Sequence, residues 1–205
     1  MLVASAYAVL QWLGRTAGST CEERATALPG DELVGRPHFV TDHATTIDAP
    51  PERVWPWLVQ VGWHRGGWYT SRWVDVLLFP ANLPAAQRIH PEWQDLAVGD
   101  RVPDGPPESD CYFVVAELEA PRYLVLHSTS HLPREFRARH GAWMSWSWVF
   151  ALRALDDGRT RFHLRSRGRL GPRWLALGYV LFLVPADFIM GRQLARGLRR
   201  RVETR

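Results

Sequence analysis

The stretch MSWSWVFALRALDDGRTRFHLRSR, residues 144–167, decides the fold. Apolar and polar side chains alternate along 144–155 and again along 160–167, which is the pattern of strands with one buried face. Asp156-Asp157-Gly158-Arg159 between the two runs is typical of a hairpin turn. Five side chains share the packed face of the first strand: Met144, Trp146, Trp148, Phe150 and Leu152. The opposite face is predicted to meet water, and on the second strand it carries Arg161, His163, Arg165 and Arg167.

Upstream sequence supplies the rest of the sheet. Residues 112–118 and 123–129 are rich in β-branched and aromatic side chains and are predicted to be antiparallel strands. Residues 41–49 form the predicted first strand, which stops at Pro50-Pro51. A helix starts there, is shortened or kinked by Pro56 and ends at Gly62, and a second short helix covers 72–78. Residues 89–100 are predicted to be a short helix or turn.

Helical periodicity returns after Pro172. Met190, Leu194, Leu198 and Val202 repeat every four residues opposite arginines, so a long amphipathic C-terminal helix is predicted, kinked at Pro185. The first 14 residues are predicted to form a short docking helix, followed by an irregular lead-in. We therefore divide the chain into an N-terminal segment, 1–40, and one domain, 41–205.

Composition places the chain among ordinary globular proteins. It has 205 residues, of which 46% are apolar and 22% charged, which excludes a disordered tail, a collagen-like rod and a coiled coil. Cys21 and Cys111 have no Cys-x-x-Cys partner, so neither a disulfide framework nor a cysteine zinc site is expected. A reducing, cytoplasmic location fits best.

All 25 basic residues are arginine, and they are distributed unevenly. Residues 1–110 hold 8 Arg against 14 acids, a net charge of −6, while 111–205 hold 17 Arg against 7 acids, a net charge of +10. The arginines are spaced singly along predicted strands and a helix and are not clustered with an aromatic nucleic-acid motif. A nucleic-acid partner is therefore not expected.

Two apolar segments raise the question of a membrane. Residues 1–14 lack the positive start and small-residue cleavage site of a secretory signal. Residues 174–186 are uncharged, but Asp187 ends the run before the 18 to 20 residues that a spanning helix needs. We expect the 174–190 run to be buried against the sheet, which leaves the protein with at most a peripheral membrane contact. The alternative is that 174–191 spans a membrane as an 18-residue helix that tolerates Asp187. Five arginines would then form its positive cytoplasmic flank: Arg192, Arg196, Arg199, Arg200 and Arg201.

The order of elements resembles the START-like, or SRPBCC, superfamily. The residues that carry the resemblance are TIDAPPERVWPWL at 46–58 and the hairpin from Ser147-Trp148-Val149-Phe150 through Gly158-Arg159-Thr160-Arg161. LPGDEL at 28–33, GGWY at 66–69 and PEWQDLAVGD at 91–100 are similar to a bacterial subgroup often labelled polyketide cyclase/dehydrase-like. The resemblance implies an α+β helix-grip fold, in which a curved antiparallel sheet wraps a long C-terminal helix around an internal cavity.

The same resemblance implies binding of a hydrophobic small molecule, such as a lipid, quinone or polyketide-like compound, in that cavity. A cyclase or dehydratase acting in the same cavity is the alternative, so enzyme activity is left open, and no cofactor or oligomeric state is predicted. The chain has 11 tryptophans, and rigid rings suit the wall of such a pocket. Six aromatic residues lie on elements that this fold places around its cavity: Trp57, Trp63, Trp68, Tyr69, Trp146 and Trp148.

Four polar residues are candidates for the pocket mouth: Arg65, Asp75, Glu92 and His127. Each has an ordinary surface or salt-bridge role as its competing interpretation. The glycine-rich turn 62–69 is predicted to act as a gate, with Arg65 facing a polar ligand end, against the simpler reading that Trp68 and Tyr69 anchor the next helix. Of the eight histidines, His127 and His131 alone have His-x-x-x-His spacing, and they lie at a predicted strand end and not on a helix face, so no metal site is expected. Neither a Gly-x-Ser-x-Gly elbow nor a phosphate loop occurs in the sequence.

Overall fold

The computed structural model describes residues 2–78 and 80–204. In that part of the chain one sheet contains six strands: β1 (Phe39–Ile47), β2 (Arg101–Pro103), β3 (Tyr112–Glu119), β4 (Tyr123–Ser128), β5 (Trp143–Ala154) and β6 (Thr160–Gly171). The α-helices are α1 (Leu2–Thr16), α2 (Cys21–Ala25), α3 (Pro51–Val59), α4 (Arg72–Leu78), α5 (Arg134–His140) and α6 (Arg173–Glu203). Single 3₁₀ turns lie at Asp31–Leu33, Pro91–Trp93 and Pro107–Ser109.

The strands run antiparallel in the order β1-β6-β5-β4-β3-β2. The β5–β6 hairpin is the longest pairing and extends from Trp143 opposite Gly171 to Ala154 opposite Thr160. β1 lies beside β6, with Phe39 opposite Gly168, so the first and last strands of the chain are neighbours. The molecule is thus an α+β protein whose curved sheet holds a long C-terminal helix, which confirms the predicted helix-grip fold.

Most predicted elements are confirmed with shifts of one to four residues at their ends. β2 and α5 are not predicted from the sequence. β2 is only three residues long and ends in Pro103, which cannot donate to a ladder, so it leaves almost no alternation to detect. α5 starts after Pro133 and ends at Gly141, where the backbone has a φ of 57°.

The second half of α6 is the core helix. Leu194, Leu198 and Val202 are buried, as their spacing predicts, and α6 packs against β1 and β6. The main chain stays helical through Pro185. By its length and composition alone, α6 is a helix that could cross a membrane.

The first half of α6 contradicts the expected burial of 174–190. Leu175, Ala176, Val184 and Asp187 are buried, but Trp174, Leu177, Leu181 and Phe182 are exposed. The buried positions fall on one stripe of the helix, and a segment that is apolar on all sides must present its other sides outward. The composition correctly predicts an apolar helix. It does not show how many faces of that helix pack against the rest of the protein.

The outer face of the sheet is covered, so the prediction of an open, wet face is wrong. Ser147, Val149, His163 and Arg165 on that face are all buried. The lead-in folds back over β5 and β6, and hydrogen bonds hold it there. Arg165 donates through Nη1 to the Thr26 carbonyl and through Nη2 to the carbonyls of Glu23 and Arg24.

Carboxylates balance the buried arginine. Nε of Arg165 lies 2.7 Å from Oδ1 of Asp42, and its Nη1 lies 2.8 Å from Oδ2 of Asp31. His163 Nε2 lies 2.8 Å from the same Asp42 oxygen. A buried charge is tolerated only when it is paired in this way. The alternating arginines of β6 therefore bind the lead-in and do not mark a solvent face.

Helix α1 docks on α6, as predicted for the first 14 residues. The Tyr7 hydroxyl donates to the Leu181 carbonyl at 2.5 Å, and Gly14 is pressed against Val184, where a Cβ would lie 2.4 Å from the Val184 oxygen. Past α1 the chain meets the edge strand: Ala44 N donates to the Ala17 carbonyl at 3.0 Å, and Gly18 forms a bridge with His43.

Candidate functional site

A cavity of about 370 Å³ lies between the concave face of the sheet and α6, and it opens to solvent. Three groups of residues form its wall. The sheet side supplies Trp68, His131, Trp146 and Trp148; α6 supplies Tyr179, Leu183, Ala186, Asp187 and Met190; and loops at the mouth supply residues 80–82, 104–106, Ser109 and Cys111.

The aromatic side of the cavity is a set of rings in contact. Trp68 meets Trp148 edge to face with centroids 5.2 Å apart, and Trp146 meets Trp148 in the same manner at 5.4 Å. The ring of Phe113 stacks on the ring of Trp148, with centroids 5.2 Å apart. Rings locked by one another hold a fixed wall, which lowers the entropic cost of binding a flat apolar molecule.

One histidine is built into this wall. The ring of His131 lies between Phe113 and Trp146, at centroid distances of 4.5 and 5.1 Å. Nε2 of His131 lies 2.8 Å from Oδ2 of Asp104, and Nδ1 lies 2.6 Å from Oγ of Ser128. The Tyr179 hydroxyl donates to the His131 carbonyl at 3.0 Å and ties this loop to α6. The cavity thus contains a carboxylate–imidazole pair among aromatic rings.

Asp187 enters the cavity from the opposite wall. It is buried on α6, the Thr41 hydroxyl donates to its Oδ2, and His43 lies nearby. Burial raises the pKa of Asp187 above its ordinary range, and the charge of His43 and the Thr41 hydrogen bond only partly oppose this. A carboxyl with a raised pKa keeps its proton to a higher pH than an exposed one, and in that protonated form it can donate a hydrogen bond to a ligand.

Sequence reasoning missed Asp104, His131, Tyr179 and Asp187 as site residues. Asp104 follows the short strand β2 and His131 follows β4, so 27 residues separate the pair and only the fold joins them. One usable signal exists: the alternation of β4 places Leu126 and Ser128 on the concave face, which marks the next loop as part of the cavity rim.

Three of the six predicted aromatic residues line the cavity: Trp68, Trp146 and Trp148. The other three are packed elsewhere. The Tyr69 hydroxyl donates to the Trp57 carbonyl at 2.6 Å inside the core, and Trp63 Nε1 donates to the Ala81 carbonyl at 2.7 Å. Trp57 and Tyr69 therefore stabilise the region behind the cavity wall.

The predicted polar residues lie outside the cavity lining. Arg65 donates to the carbonyls of Val59, Val61 and Trp93, so its guanidinium holds main-chain segments together and does not line this cavity. The side chain of Glu92 is largely exposed, with Oε1 3.0 Å from His90 Nδ1. These positions have the salt-bridge and structural roles that compete with ligand binding.

His127 and Asp75 are also displaced from the cavity, each for its own reason. His127 alternates with Leu126 and Ser128, so it faces the outer side of the sheet, where its Nε2 lies 2.8 Å from Ser145 Oγ. Burial there lowers the pKa of His127. Asp75 is buried and accepts from the Thr70 hydroxyl at 2.5 Å and from Asn82 Nδ2 at 3.1 Å. Asp75 thus reaches the site indirectly, by holding Asn82 at the cavity mouth.

A second cleft, of about 440 Å³, lies on the outer face of the sheet. Its charged lining consists of Arg15, Arg24, Arg165 and Arg167 with Asp31 and Asp42. Such a lining does not suit an apolar ligand, and its ion pairs fix the lead-in. Over residues 2–78 and 80–204, no group of three or more His, Cys, Asp or Glu side chains is arranged to hold a metal ion.

No protein-family model matches the sequence, and no curated protein matches it. Among solved structures, a protein from Mesorhizobium loti shares 16% identity at a TM-score of 0.43, covering 81% of this chain and 98% of that one. A protein from Arthrobacter aurescens shares 14% identity at 0.46, covering 81% and 87%. A hypothetical protein from Helicobacter pylori shares 12% identity at 0.46, covering 85% and 94%. Likeness at this level carries no information about the residues of the cavity.

Proposed function

We propose that the chain binds a hydrophobic small molecule, such as a lipid, quinone or polyketide-like compound, in the cavity between the sheet and α6. The observation that carries the proposal is the wall of Trp68, Trp146 and Trp148 around about 370 Å³ of space. That volume falls within the range of about 300–1,000 Å³ that small-molecule sites occupy. We include in this proposal the START-like (SRPBCC) family and its polyketide cyclase/dehydrase-like subgroup, in keeping with the helix-grip fold.

The polar groups of the cavity suit an apolar ligand that carries one or two oxygen atoms. His131 approaches from the sheet side, Asp104 from the loop at the mouth and Asp187 from α6. A few polar groups in an apolar pocket orient a ligand, while the apolar area supplies most of its affinity. Carbonyl or hydroxyl oxygens of a quinone or polyketide-like compound would find both a donor and an acceptor here.

Native mass spectrometry of the purified protein, together with an organic extract, tests the proposal. We expect a reproducible apolar molecule bound at up to one per chain. Ala186→Phe places a ring in the cavity and should remove that molecule, whereas Leu177→Phe, on an exposed position of the same helix, should leave it bound. An empty wild-type protein from several expression hosts would overturn the proposal, as would equal occupancy in both variants.

A cyclase or dehydratase is the second candidate function, and the His131–Asp104 pair is the observation that favours it. A histidine oriented by a carboxylate in an apolar cavity is suited to general acid–base catalysis. In a dehydration Nδ1 of His131 would release the Ser128 hydroxyl and take a proton from carbon. Asp187, in its protonated form, would give its proton to the leaving hydroxyl, which departs as water. We expect His131→Gln to bind the extracted molecule as the wild type does and to stop its conversion. Extracts whose masses stay unchanged, without loss of water or altered chromatographic retention, would rule out this activity for that molecule.

A further inference from the structure

Two neighbouring helices, α1 and α6, each expose large apolar side chains. Phe182 is 79% exposed, Trp12 is 64% exposed and Leu177 is 61% exposed, and Val9, Trp174 and Leu181 are also exposed. We call these six residues the helix-pair face. Soluble proteins seldom leave large aliphatic and aromatic groups together in water, and such a patch marks a contact site.

The helix-pair face is continuous because α1 and α6 are joined. Tyr7 and Gln11 donate to the carbonyls of Leu181 and Val180, at 2.5 and 3.1 Å, and Gly14 meets Val184 one turn further along. Residues 7–14 of α1 therefore lie against residues 180–184 of α6. Each contact region belongs to an uncharged segment, 2–14 on α1 and 174–186 on α6.

The charges around the helix-pair face are mainly positive. Arg173 begins α6 and Arg15 lies in the last turn of α1. Helix α5 touches the face, since Phe136 and His140 lie 6.3 and 5.4 Å from the ring of Trp174. That helix has three arginines against one glutamate, and Arg134 is paired with Asp110, which leaves one net positive charge beside the patch.

We propose that the helix-pair face binds the surface of an anionic lipid bilayer. An uncharged helical surface with tryptophans and an arginine rim matches the apolar boundary and the anionic headgroups of such a membrane. A second copy of the chain is a poorer occupant, because docking the face on itself would bring two arginine rims together.

The helices lie on the membrane and do not span it. The second half of α6 supplies Leu194, Leu198 and Val202 to the core, so α6 cannot leave the sheet without unfolding the domain. Asp187 ends the apolar segment in the middle of α6, and its side chain is buried against Thr41. Because this contact holds the end of the segment on the protein, it limits how far α6 can enter the membrane.

The helix-pair face also adjoins the ligand cavity. A shallow groove of about 260 Å³ beside Trp174 and Phe182 shares Tyr179 and Leu183 with the cavity wall. A lipophilic ligand leaving the bilayer would therefore meet the cavity one side chain away. This last step rests on the proposed function, whereas the membrane contact does not.

Flotation with lipid vesicles tests the contact. We expect the wild-type protein to float with phosphatidylcholine vesicles that contain phosphatidylserine, and at least tenfold less with pure phosphatidylcholine. The double variant Trp12→Glu/Phe182→Glu should bind at least tenfold more weakly. Val98→Glu, at an exposed apolar position outside both helices, should bind like the wild type. Circular dichroism and thermal melting confirm that the variants are folded.

Three results would overturn the membrane contact. The first is a wild-type protein that floats with neither vesicle. The second is a Val98→Glu variant that loses as much binding as the double variant. The third is a wild-type dimer, seen by light scattering, that the double variant converts to a monomer while neither protein binds vesicles. Retention of the protein in cell membranes through salt and alkaline washing would instead show a spanning helix and overturn surface binding. Loss of the co-purifying ligand with intact flotation would refute only the ligand proposal.

Discussion

Asp104 fixes the proton of His131. Its Oδ2 lies 2.8 Å from Nε2 of the imidazole and can only accept, so Nε2 carries the hydrogen. In the neutral ring Nδ1 then accepts from the Ser128 hydroxyl at 2.6 Å. The ring orientation on the cavity wall is therefore set from two sides, and a change at Asp104 alters the polar part of the site without touching its aromatic part.

Asp104→Ala should remove one acceptor and leave the Nε2 hydrogen of His131 unpaired in a mostly buried place. The cost of such an unpaired group is about 1–3 kcal/mol of the free energy of unfolding, measured by urea denaturation. Asp110→Ala is the matched control, because Asp110 pairs with Arg134 in the open and exposed pairs contribute about 0–1 kcal/mol. Equal losses in the two variants would contradict a structural role for the His131 pair.

Trp68→Ala separates an anchoring role from a gating role of the 62–69 turn. Trp68 is buried against Trp148 and Phe113, so its removal should cost about 3–5 kcal/mol of the free energy of unfolding. Trp73→Ala, at an exposed position on α4, should cost far less. A Trp68→Ala protein with unchanged melting temperature and weakened ligand binding would instead support the gate.

Asp187→Asn should stabilise the protein at neutral pH. Because burial raises the pKa of Asp187, the folded protein keeps a proton that the unfolded chain has released, and stability falls as the pH rises through that interval. Asparagine removes the penalty, so Tm should rise at pH 7, where 1 kcal/mol corresponds to about 2–4 °C for a protein of this size. The difference should shrink as the pH falls toward about 4, the ordinary pKa of aspartate. A lower Tm at pH 7 would contradict this prediction and would mean that the folded protein favours the anion of Asp187.

Glu23→Gln should loosen the lead-in from the sheet. Nε and Nη2 of Arg161 bind both oxygens of Glu23, at 2.7 and 2.8 Å, and this pair lowers the pKa of Glu23 from 4.5 to about 2. The stability that the pair contributes is therefore present above pH 4.5 and lost as the pH falls to about 2. Thermal melting should show a lower Tm for the variant at pH 7 and a shrinking difference in acid. Glu119→Gln, at an exposed pair with Arg122 that also lowers the pKa of Glu119, should show a much smaller pH-dependent difference, because solvent weakens that pair.

Local patterns predict the β5–β6 hairpin and α6, because alternation and a four-residue repeat each extend over several turns or pairs. The burial of Arg165 could not be predicted in this way. Its partner Asp31 lies 134 residues away, and the sequence of β6 alone describes a solvent face equally well. Burial on one face of a strand depends on which distant segment covers it.

In the candidate site, too, residues on strands could be predicted from local patterns and residues in loops could not. Trp146 and Trp148 are predicted because bulky rings on one face of a central strand must line the core or its cavity. Asp104 and His131 lie in loops, where no periodicity indicates the direction of a side chain. His127 is predicted at the pocket mouth because it occupies a central strand. The alternation of side chains along β4, however, places it on the outer face of the sheet.

Both edges of the sheet are poor templates for another strand. β2 is three residues long and ends in proline, and the outer side of β1 is partly occupied by residues 17–18, through Ala44 N on the Ala17 carbonyl and the Gly18–His43 bridge. Open edges are where sheets from different molecules join into aggregates. The N-terminal segment thus also protects this edge. A chain shortened by its first 18 residues would lose the cover at His43 and Ala44, in the middle of the nine-residue strand β1, and would be expected to polymerise along that edge.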